Sequence, residues 1–373
     1  MIAKQFATGY PDMTQRPDAE ISWFSALCDD DYRFLGVEDP ALKASWPHCR
    51  DIARAAEANG FDNILLPSGY TLGMDSIAFA GGIAPLLEKM RLLVAVRCGE
   101  MWVPQLARQL ATLDTMLDGR LTVNIISSDM PGQTLESTPR YQRTLETMQT
   151  LRALLNGERV SIDGDFVKLD IEPPRMATRS GNCPPFYFGG LSPQARDTAA
   201  QAADVFLMWP DTEPAVQAIL DDMRQRAAGY DRQLKFGYRA HVIVRETEAE
   251  ARAAADRLIS KLDDATGAEI RNKSLDSRSI GVRRQAELRD AASAGDDGDF
   301  VEPHLWTGVG RARSGCGAAI VGDPDQVLAK INRYRDMGIE AFILSGYPHK
   351  DECDLFARYV LPEINHAPLA LDG

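Results

Sequence analysis

Residues 235–247, KFGYRAHVIVRET, predict a β-strand, because apolar and aromatic side chains dominate and the stretch contains no proline and one glycine. Side chains of a strand alternate between its two faces, so Arg239 and His241 point to the same side. On a solvent-facing side these two residues would need no explanation. In a protein interior a guanidinium and an imidazole are costly to bury, and an anion is expected to meet them.

Seven further apolar runs accompany this strand, and helix-like amphipathic segments lie between them. The eight runs are 21–27, 62–67, 92–97, 121–127, 185–190, 203–209, 236–245 and 340–346. The helical segments include 44–59, 104–118, 140–156, 193–202, 212–228 and 324–337. Strands that alternate with helices indicate a parallel sheet, and eight of them favour an α/β fold of the (β/α)₈ TIM-barrel type over a doubly wound sheet. We expect residues 1–373 to form one domain.

The spacing changes after the seventh strand, because residues 248–323 are too many for a single crossover. Residues 248–263 predict a helix, and a charged segment with the Gly-rich tail 308–317 follows. A long insertion at this point lies over the face where barrel enzymes place their active sites. We therefore expect 264–317 to be a mobile lid with glycine hinges. A solvated insertion without a role is the alternative.

The bulk composition limits the function classes. A hydrophobic content of 45% and a charged content of 25% are typical of globular proteins, and no run of about 18 apolar residues is present. Residues 1–20 lack the apolar segment of a secretory signal, so a cytoplasmic location is expected. The net charge of −13 disfavours nucleic-acid and membrane partners. The cysteines and histidines show no C-x-x-C, H-x-H or H-E-x-x-H spacing, so no disulfide framework or metal site is expected.

Polar side chains end most of the predicted strands, on the face where a barrel does its chemistry. They are Ser68, Arg97, Ser127, Ser128, Trp209, Arg239, His241 and Tyr347. An inward-facing Arg239 requires a carboxylate or a ligand anion as its partner. Asp75 and Asp129 are candidate carboxylates, so an internal ion pair and a bound anion both remain open at this point.

Residues 188–204, FGGLSPQARDTAAQAAD, form a second candidate site. Two glycines end a strand, Ser192 is placed to cap the next helix and Pro193 suits its first turn. Free backbone N–H groups and the positive end of a helix dipole make such a junction suitable for phosphate. An ordinary capped helix is an equally good reading of the same residues.

Six segments resemble one family when they are taken together. They are 107–120 (ARQLATLDTMLDGR), 185–190 (PFYFGG), 234–239 (LKFGYR), 239–251 (RAHVIVRETEAEA), 305–323 (LWTGVGRARSGCGAAIVGD) and 343–352 (ILSGYPHKDE). Over about residues 20–365 the chain resembles the two-component, reduced-flavin-dependent alkanesulfonate monooxygenases of the bacterial luciferase-like superfamily.

The resemblance implies a TIM barrel that uses O₂ and reduced FMN, supplied by a separate NAD(P)H-dependent flavin reductase. It also implies cleavage of the C–S bond of an organosulfonate to sulfite and an aldehyde, by a homodimer or homotetramer. The family's substrate pocket falls on Trp209, Arg239, His241, Arg313 and Tyr347, with catalytic roles for Arg239, His241 and Tyr347. The flavin pattern falls on Asn124, Tyr141, Gly190 and Ser192.

The chain departs from that family at the loops around the pocket. Simple alkanesulfonate members carry Thr-Gly-Arg-Ser-Cys-Glu-Asp where residues 67–76 read PSGYTLGMDS, and Val-Thr-Gly where residues 126–132 read ISSDMPG. The hydroxyl and carboxylate groups of these loops favour a polyhydroxylated sulfonate, and sulfoquinovose is the preferred candidate. A simple alkanesulfonate, a non-sulfonate substrate of a related flavin monooxygenase, and a flavin-binding protein without turnover are the alternatives.

Overall fold

The computed structural model describes residues 16–70, 73–272, 279–313 and 315–371. The strands are β1 (Glu20–Phe24), β2 (Asn63–Leu66), β3 (Arg91–Arg97), β4 (Leu121–Ile126), β5 (Val160–Asp163), β6 (Lys168–Ile171), β7 (Phe186–Phe188), β8 (Val205–Met208), β9 (Lys235–Val244), β10 (Phe300–Glu302), β11 (Leu305–Trp306), β12 (Ala319–Gly322) and β13 (Ala341–Ser345). The helices are α1 (Trp46–Ala58), α2 (Ser76–Ile83), α3 (Val103–Met116), α4 (Ser137–Leu155), α5 (Pro193–Ala202), α6 (Glu213–Ala228), α7 (Glu248–Ile259), α8 (Asp264–Asn272), α9 (Ile280–Ser293), α10 (Pro324–Met337) and α11 (His349–Tyr359).

Within these residues, eight parallel strands close into a barrel in the order β1–β2–β3–β4–β7–β8–β9–β13, and β13 returns to pair with β1. The TIM-barrel prediction is confirmed, and each of the eight predicted strands overlaps a barrel strand. Helices pack around the outside, where the buried sides of α1 and α3 contribute to the largest apolar core. Sequence analysis did not predict α2, α11 or the short hairpin β5–β6.

The barrel interior contains a buried carboxylate at its N-terminal end. Glu20 is fully buried, and its Oε1 accepts hydrogen bonds from the Tyr187 hydroxyl at 2.8 Å, from Ser22 Oγ at 3.2 Å and from Asn63 Nδ2 at 3.3 Å. Its Oε2 accepts from the backbone N–H of Leu369 at 3.1 Å. Arg91 Nη1 also lies 3.7 Å from Oε2, so neutral donors from three strands and the C-terminal segment, together with one arginine, satisfy this charge.

The connection from β9 to β13 contains more structure than the sequence indicated. It includes α7, α8 and α9, and then β10, β11 and β12, which pair antiparallel in that order. β12 also runs parallel to the upper half of β9, from Ala319 beside His241 to Gly322 beside Val244, while the lower half of β9 pairs with β8. These strands have two to four residues, too few for a side-chain alternation to be visible in the sequence.

The expected lid, 264–317, packs on the barrel through the loop after β8. Arg284 forms a double ion pair with the nearly buried Asp211, with both N–O distances at 2.7 Å. Gln285 Nε2 donates to the carbonyl of Pro210 at 2.7 Å. Residues 273–278 and 314 of this segment lie outside the described residues, and its mobility stays a prediction.

The cysteines Cys28, Cys49, Cys98, Cys183, Cys316 and Cys353 are all free thiols. No helix in the described part of the chain is long and apolar enough to cross a bilayer.

Candidate active site

Arg239 lies inside the barrel near the C-terminal end of β9 and is 5% exposed. Its Nη1 donates to the carbonyl of Ala240 at 2.6 Å, and its Nη2 donates to Ser345 Oγ at 2.8 Å. The guanidinium carbon lies 4.2 Å from the centroid of the Phe24 ring. Among the described residues no carboxylate oxygen comes within 4.0 Å of it, and burial lowers its pKa. The guanidinium is thus held in place without a counter-ion.

His241 lies beside Arg239 and is also buried. Its Nδ1 is 2.7 Å from Ser345 Oγ, the same hydroxyl that accepts from Arg239. Burial, together with the charge of Arg239, holds the pKa of His241 well below its usual range, so the imidazole is neutral at pH 7. Ser345 Oγ thus links the Arg239 guanidinium to the His241 ring. The neutral imidazole carries one N–H, so it can serve as one hydrogen-bond donor beside the guanidinium.

Tyr347 connects the groups of this pocket. Its ring stacks on His241 at a centroid distance of 5.3 Å and meets the edges of Tyr32 at 6.0 Å and His349 at 5.0 Å. Burial raises the pKa of Tyr347 to about 12, so the phenol keeps its proton at neutral pH and can donate it in a hydrogen bond.

Behind Tyr347 lies a buried carboxylate–imidazole network. Asp31 is fully buried and accepts from the backbone N–H of His349 at 2.9 Å, from His349 Nδ1 at 2.8 Å and from His48 Nε2 at 3.1 Å. Burial opposes ionisation of Asp31, but the contacts with His349 and His48 outweigh it and lower the carboxyl pKa. Nε2 of His349 is buried and has no hydrogen-bond partner among the described residues.

Arg313 reaches the pocket from the insertion. Its guanidinium carbon lies 6.0 Å from the Tyr347 centroid, and its Nη1 forms an ion pair with Oδ2 of Asp29. Asp29 is 8% exposed and also accepts from the Tyr32 hydroxyl at 3.3 Å. Arg313 therefore has a carboxylate partner, in contrast to Arg239.

Trp209 is half-buried at the end of β8 and contacts the insertion. A Cβ atom added at Gly281 would lie 3.0 Å from its ring, and one at Gly315 would lie 3.5 Å from it. The residue after Gly315, Cys316, places its Sγ 3.3 Å from the carbonyl of Arg239. The four side chains therefore form a continuous set of contacts. Ser345 joins Arg239 to His241, and Tyr347 lies between His241 and Arg313. Trp209 contacts the insertion beside them.

Three of the four residues assigned to flavin also come together. Ser192 Oγ caps α5 by accepting from the N–H of Ala195 at 3.1 Å, which leaves its own proton free to donate. Gly190 has a φ of +152°, and a Cβ there would come within 2.7 Å of the Ala195 side chain and 3.5 Å from the Tyr141 hydroxyl. A side chain at position 190 would therefore fill this space. Asn124 is half-buried on β4, whose neighbour β7 leads into this junction.

The surroundings of this junction suit a phosphate. Arg140 stacks its guanidinium on the Tyr141 ring at 5.2 Å, and its Nε is buried without a hydrogen-bond partner among the described residues. Its ion pair with Asp129 is long, at 3.7 Å. Arg143, one turn further along α4, packs against Gly99, and its buried Nε is also without a partner in the described part of the chain. A buried cationic donor such as Arg140, next to Tyr141 and the junction that begins α5, fits the monophosphate of FMN.

Neither of the two candidate carboxylates pairs with Arg239. Asp75 is exposed and caps α2 by accepting from the N–H of Ala78 at 2.7 Å, and Asp129 faces Arg140, so neither is the partner of Arg239. Of the other loop residues expected to face the substrate, Tyr70 is 72% exposed, and Thr71 lies outside the described residues.

Sequence reasoning missed Asp29, Asp31, Ser345 and His349 as pocket residues. The one available signal was proximity in the sequence, because Ser345 and His349 each lie two residues from Tyr347.

Comparison with known proteins places this geometry in context. A model of the family "Luciferase-like monooxygenase" matches residues 34–341. The chain is 63% identical over 360 residues to a sulfoquinovose monooxygenase of Novosphingobium aromaticivorans, covering 94% of this chain and 98% of that protein. It is 49% identical over 354 residues to a sulfoquinovose monooxygenase of Agrobacterium fabrum, covering 94% of this chain and 91% of that protein. A riboflavin lyase whose crystal structure contains modified FMN and riboflavin is similar in fold, with a TM-score of 0.76 at 13% identity over 96% of this chain and 94% of that one.

Proposed function

Because the chain belongs to the luciferase-like monooxygenase family, we propose that it is a sulfoquinovose monooxygenase. The proposed reaction consumes the sulfonate, O₂ and reduced flavin, and it yields an aldehyde, hydrogen sulfite, oxidised flavin and water. One oxygen atom goes to the carbon that loses sulfur, and the other leaves as water. The relatives at 63% and 49% identity carry this name, and both alignments span nearly the whole chain.

The single observation that carries the proposal is the buried Arg239 without a carboxylate partner among the described residues. A buried guanidinium that nothing neutralises is strongly unfavourable, so the site is built for an anion that arrives with the substrate. A sulfonate is a permanent monoanion with three acceptor oxygens, and a guanidinium binds such oxygens by charge-assisted hydrogen bonds. A neutral amide, sulfone or alkane would leave this charge unpaired.

The neighbouring side chains supply the remaining contacts. The neutral imidazole of His241 and the protonated phenol of Tyr347, whose rings stack beside Arg239, would supply hydrogen-bond donors to the substrate. The phenol of Tyr347 would donate a hydrogen bond to an oxygen of the departing sulfite, on which negative charge grows as the C–S bond breaks. Trp209 and the insertion that contacts it exclude water from this space.

Asn124, Tyr141, Gly190 and Ser192 would hold the flavin, with Arg140 beside the phosphate. When bound in its reduced form, the flavin supplies the electrons that activate O₂. A separate NAD(P)H-dependent reductase is the proposed source of that form, and the cytoplasm, where the nicotinamide is regenerated, is the proposed location. The proposed assembly is a homodimer or homotetramer, and residues 264–317 are the proposed lid.

The test is sulfite release from sulfoquinovose with a flavin reductase, FMN, NADH and air. We expect one sulfite per sulfonate and a greater kcat/KM than for methane-, ethane- or octanesulfonate. Omission of FMN is the control for flavin-independent desulfonation. Equal or better turnover of the alkanesulfonates would assign the chain to the simple alkanesulfonate enzymes, and absence of sulfite from every sulfonate would reject the proposal.

A further inference from the structure

The two arginines of the pocket differ in what neutralises them. Within the described part of the chain, Arg239 donates to the neutral oxygens of Ala240, Ile343 and Ser345, whereas Arg313 is paired with the carboxylate of Asp29. A sulfonate gains most from a guanidinium that has no anion beside it, since a second anion at Arg313 would be repelled by Asp29. The sulfonate end of a substrate therefore belongs at Arg239.

The Asp29–Arg313 pair lies next to Tyr347, the ring that also stacks on His241. The Tyr347 centroid is 5.3 Å from the His241 centroid and 6.0 Å from the guanidinium carbon of Arg313, so one ring borders both the surroundings of Arg239 and the ion pair. Asp29 is 8% exposed; its Oδ1 accepts from the backbone N–H of Asp30 at 2.9 Å and from the Tyr32 hydroxyl at 3.3 Å, and its Oδ2 faces Arg313. The pair is neutral as a whole but offers strong acceptors and strong donors side by side.

We propose that Asp29 and Arg313 together recognise the hydroxyl groups of the substrate and thereby set the preference for a sugar sulfonate over an alkyl sulfonate. This inference rests on the proposed function and names the residues that select its substrate. A carboxylate accepts from one hydroxyl of a vicinal diol while the guanidinium donates to the oxygen of the next, so the pair matches a diol in both roles. An alkyl chain in the same place would cover the pair without replacing the hydrogen bonds that water gives it.

The first arm of the test uses the wild-type enzyme, so that no variant has to fold. We compare 2,3-dihydroxypropanesulfonate with propanesulfonate, which has the same length and charge. The diol is expected to have the greater kcat/KM, by about 10-fold or more, because only it satisfies both partners. Equal values for the two substrates would overturn the inference.

The second arm uses Asp29→Asn, with Asp30→Asn as the matched control. Asp30 is the adjacent residue, and its carboxylate accepts from the N–H of Ala44 at 2.8 Å, outside the pocket. For Asp29→Asn the ratio of kcat/KM for sulfoquinovose over propanesulfonate is expected to fall about 100-fold, since an amide accepts weakly and leaves Arg313 uncompensated. Asp30→Asn is expected to keep the wild-type ratio.

The outcomes separate the inference from the proposed function. Sulfite release from sulfoquinovose by the wild-type enzyme decides the proposed function. If the wild-type enzyme releases sulfite but Asp29→Asn lowers kcat/KM equally for sulfoquinovose and propanesulfonate, then Asp29 serves only to position Arg313 and the inference is wrong. The inference is supported if the wild-type enzyme prefers the diol and Asp29→Asn lowers the ratio of kcat/KM for sulfoquinovose over propanesulfonate. If the wild-type enzyme released no sulfite from sulfoquinovose, both the proposed function and this inference would be rejected.

Discussion

Two charged side chains lie inside the same barrel, one at each end. Glu20 at the N-terminal end receives hydrogen bonds from Tyr187, Ser22, Asn63 and Leu369, which belong to the protein itself. Arg239 at the C-terminal end has three neutral acceptors and no carboxylate partner among the described residues. Both charges are buried, but only Glu20 has partners within the described protein that neutralise it. The difference separates a charge that stabilises the fold from one that waits for a ligand.

The strongest test of this contrast removes the guanidinium. Arg239→Ala is expected to reduce kcat/KM for the sulfonate by about 150- to 5,000-fold, equivalent to about 3–5 kcal/mol of transition-state stabilisation. Arg239→Lys is expected to recover part of the loss, because an ammonium keeps the charge but not the two-pronged geometry. Near-normal sulfite production by Arg239→Ala would show that the sulfonate binds elsewhere.

The opposite end of the barrel should respond in stability rather than in turnover. Glu20→Ala removes an acceptor of four donors and is expected to lower the free energy of unfolding by about 3–5 kcal/mol, because the Tyr187 hydroxyl and Asn63 amide remain buried without it. Urea denaturation followed by circular dichroism measures this loss. Glu20→Gln keeps one carbonyl oxygen and should lose less. A fully stable Glu20→Ala variant would contradict the contrast.

Stability measurements on Arg239 sharpen the contrast further. Arg239→Met is expected to leave the free energy of unfolding unchanged or to raise it by about 1–2 kcal/mol, since it removes a buried charge without a partner. Added sulfonate should raise the Tm of the wild-type enzyme, and it should not raise the Tm of Arg239→Met. A loss of several kcal/mol in Arg239→Met would place Arg239 with Glu20 as a structural charge.

Asp31 gives a pH-dependent version of the same comparison. Its folded-state pKa is lowered below the ordinary value of about 3.9, so its contribution to stability is present above that pH and disappears as the pH falls towards the folded-state pKa. Asp31→Asn is expected to lower the free energy of unfolding by about 1–3 kcal/mol at pH 7, and this loss should become smaller as the pH falls below about 4. Chemical denaturation at several pH values measures the difference. If the free energies of unfolding of wild type and Asp31→Asn differed by the same amount at pH 7 and at about pH 2, Asp31 would not be stabilised in its ionised form.

The smallest effect is expected at the contact between insertion and barrel. Arg284→Ala breaks the double ion pair with Asp211 and should raise the rate of proteolysis within 264–317 by a few-fold, with about 1 kcal/mol lost from local stability. Addition of reduced FMN and substrate should slow cleavage in the wild type if the segment is a lid. Arg283→Ala, at a neighbouring position whose side chain is 71% exposed, is the control.

The barrel and the strand with Arg239 and His241 were predictable, because hydrophobic runs of strand length and helical periodicity are local properties of a sequence. Asp29 and Asp31 were not. They lie in an irregular loop after β1, and their partners Arg313 and His349 are 284 and 318 residues away in the chain. Nothing local indicates which of many exposed-looking aspartates folds back against a distant arginine. Asp75 was a candidate partner of Arg239 for the same reason, since a helix-capping carboxylate and a pocket carboxylate look alike in sequence.

The pairing of β12 with the upper half of β9 also bears on how the protein is made. While the chain emerges from the ribosome, the upper half of β9 has no neighbour on that edge until residues 319–322 are synthesised, and its other neighbour, β13, comes later still. The strands that lead to Tyr141 and Gly190 are complete long before. The half of the barrel assigned to flavin can therefore assemble first, and the half that carries Arg239 forms only when translation is nearly finished. A chain truncated before residue 319 would expose the backbone of β9 as an open edge, the kind of surface that recruits another chain.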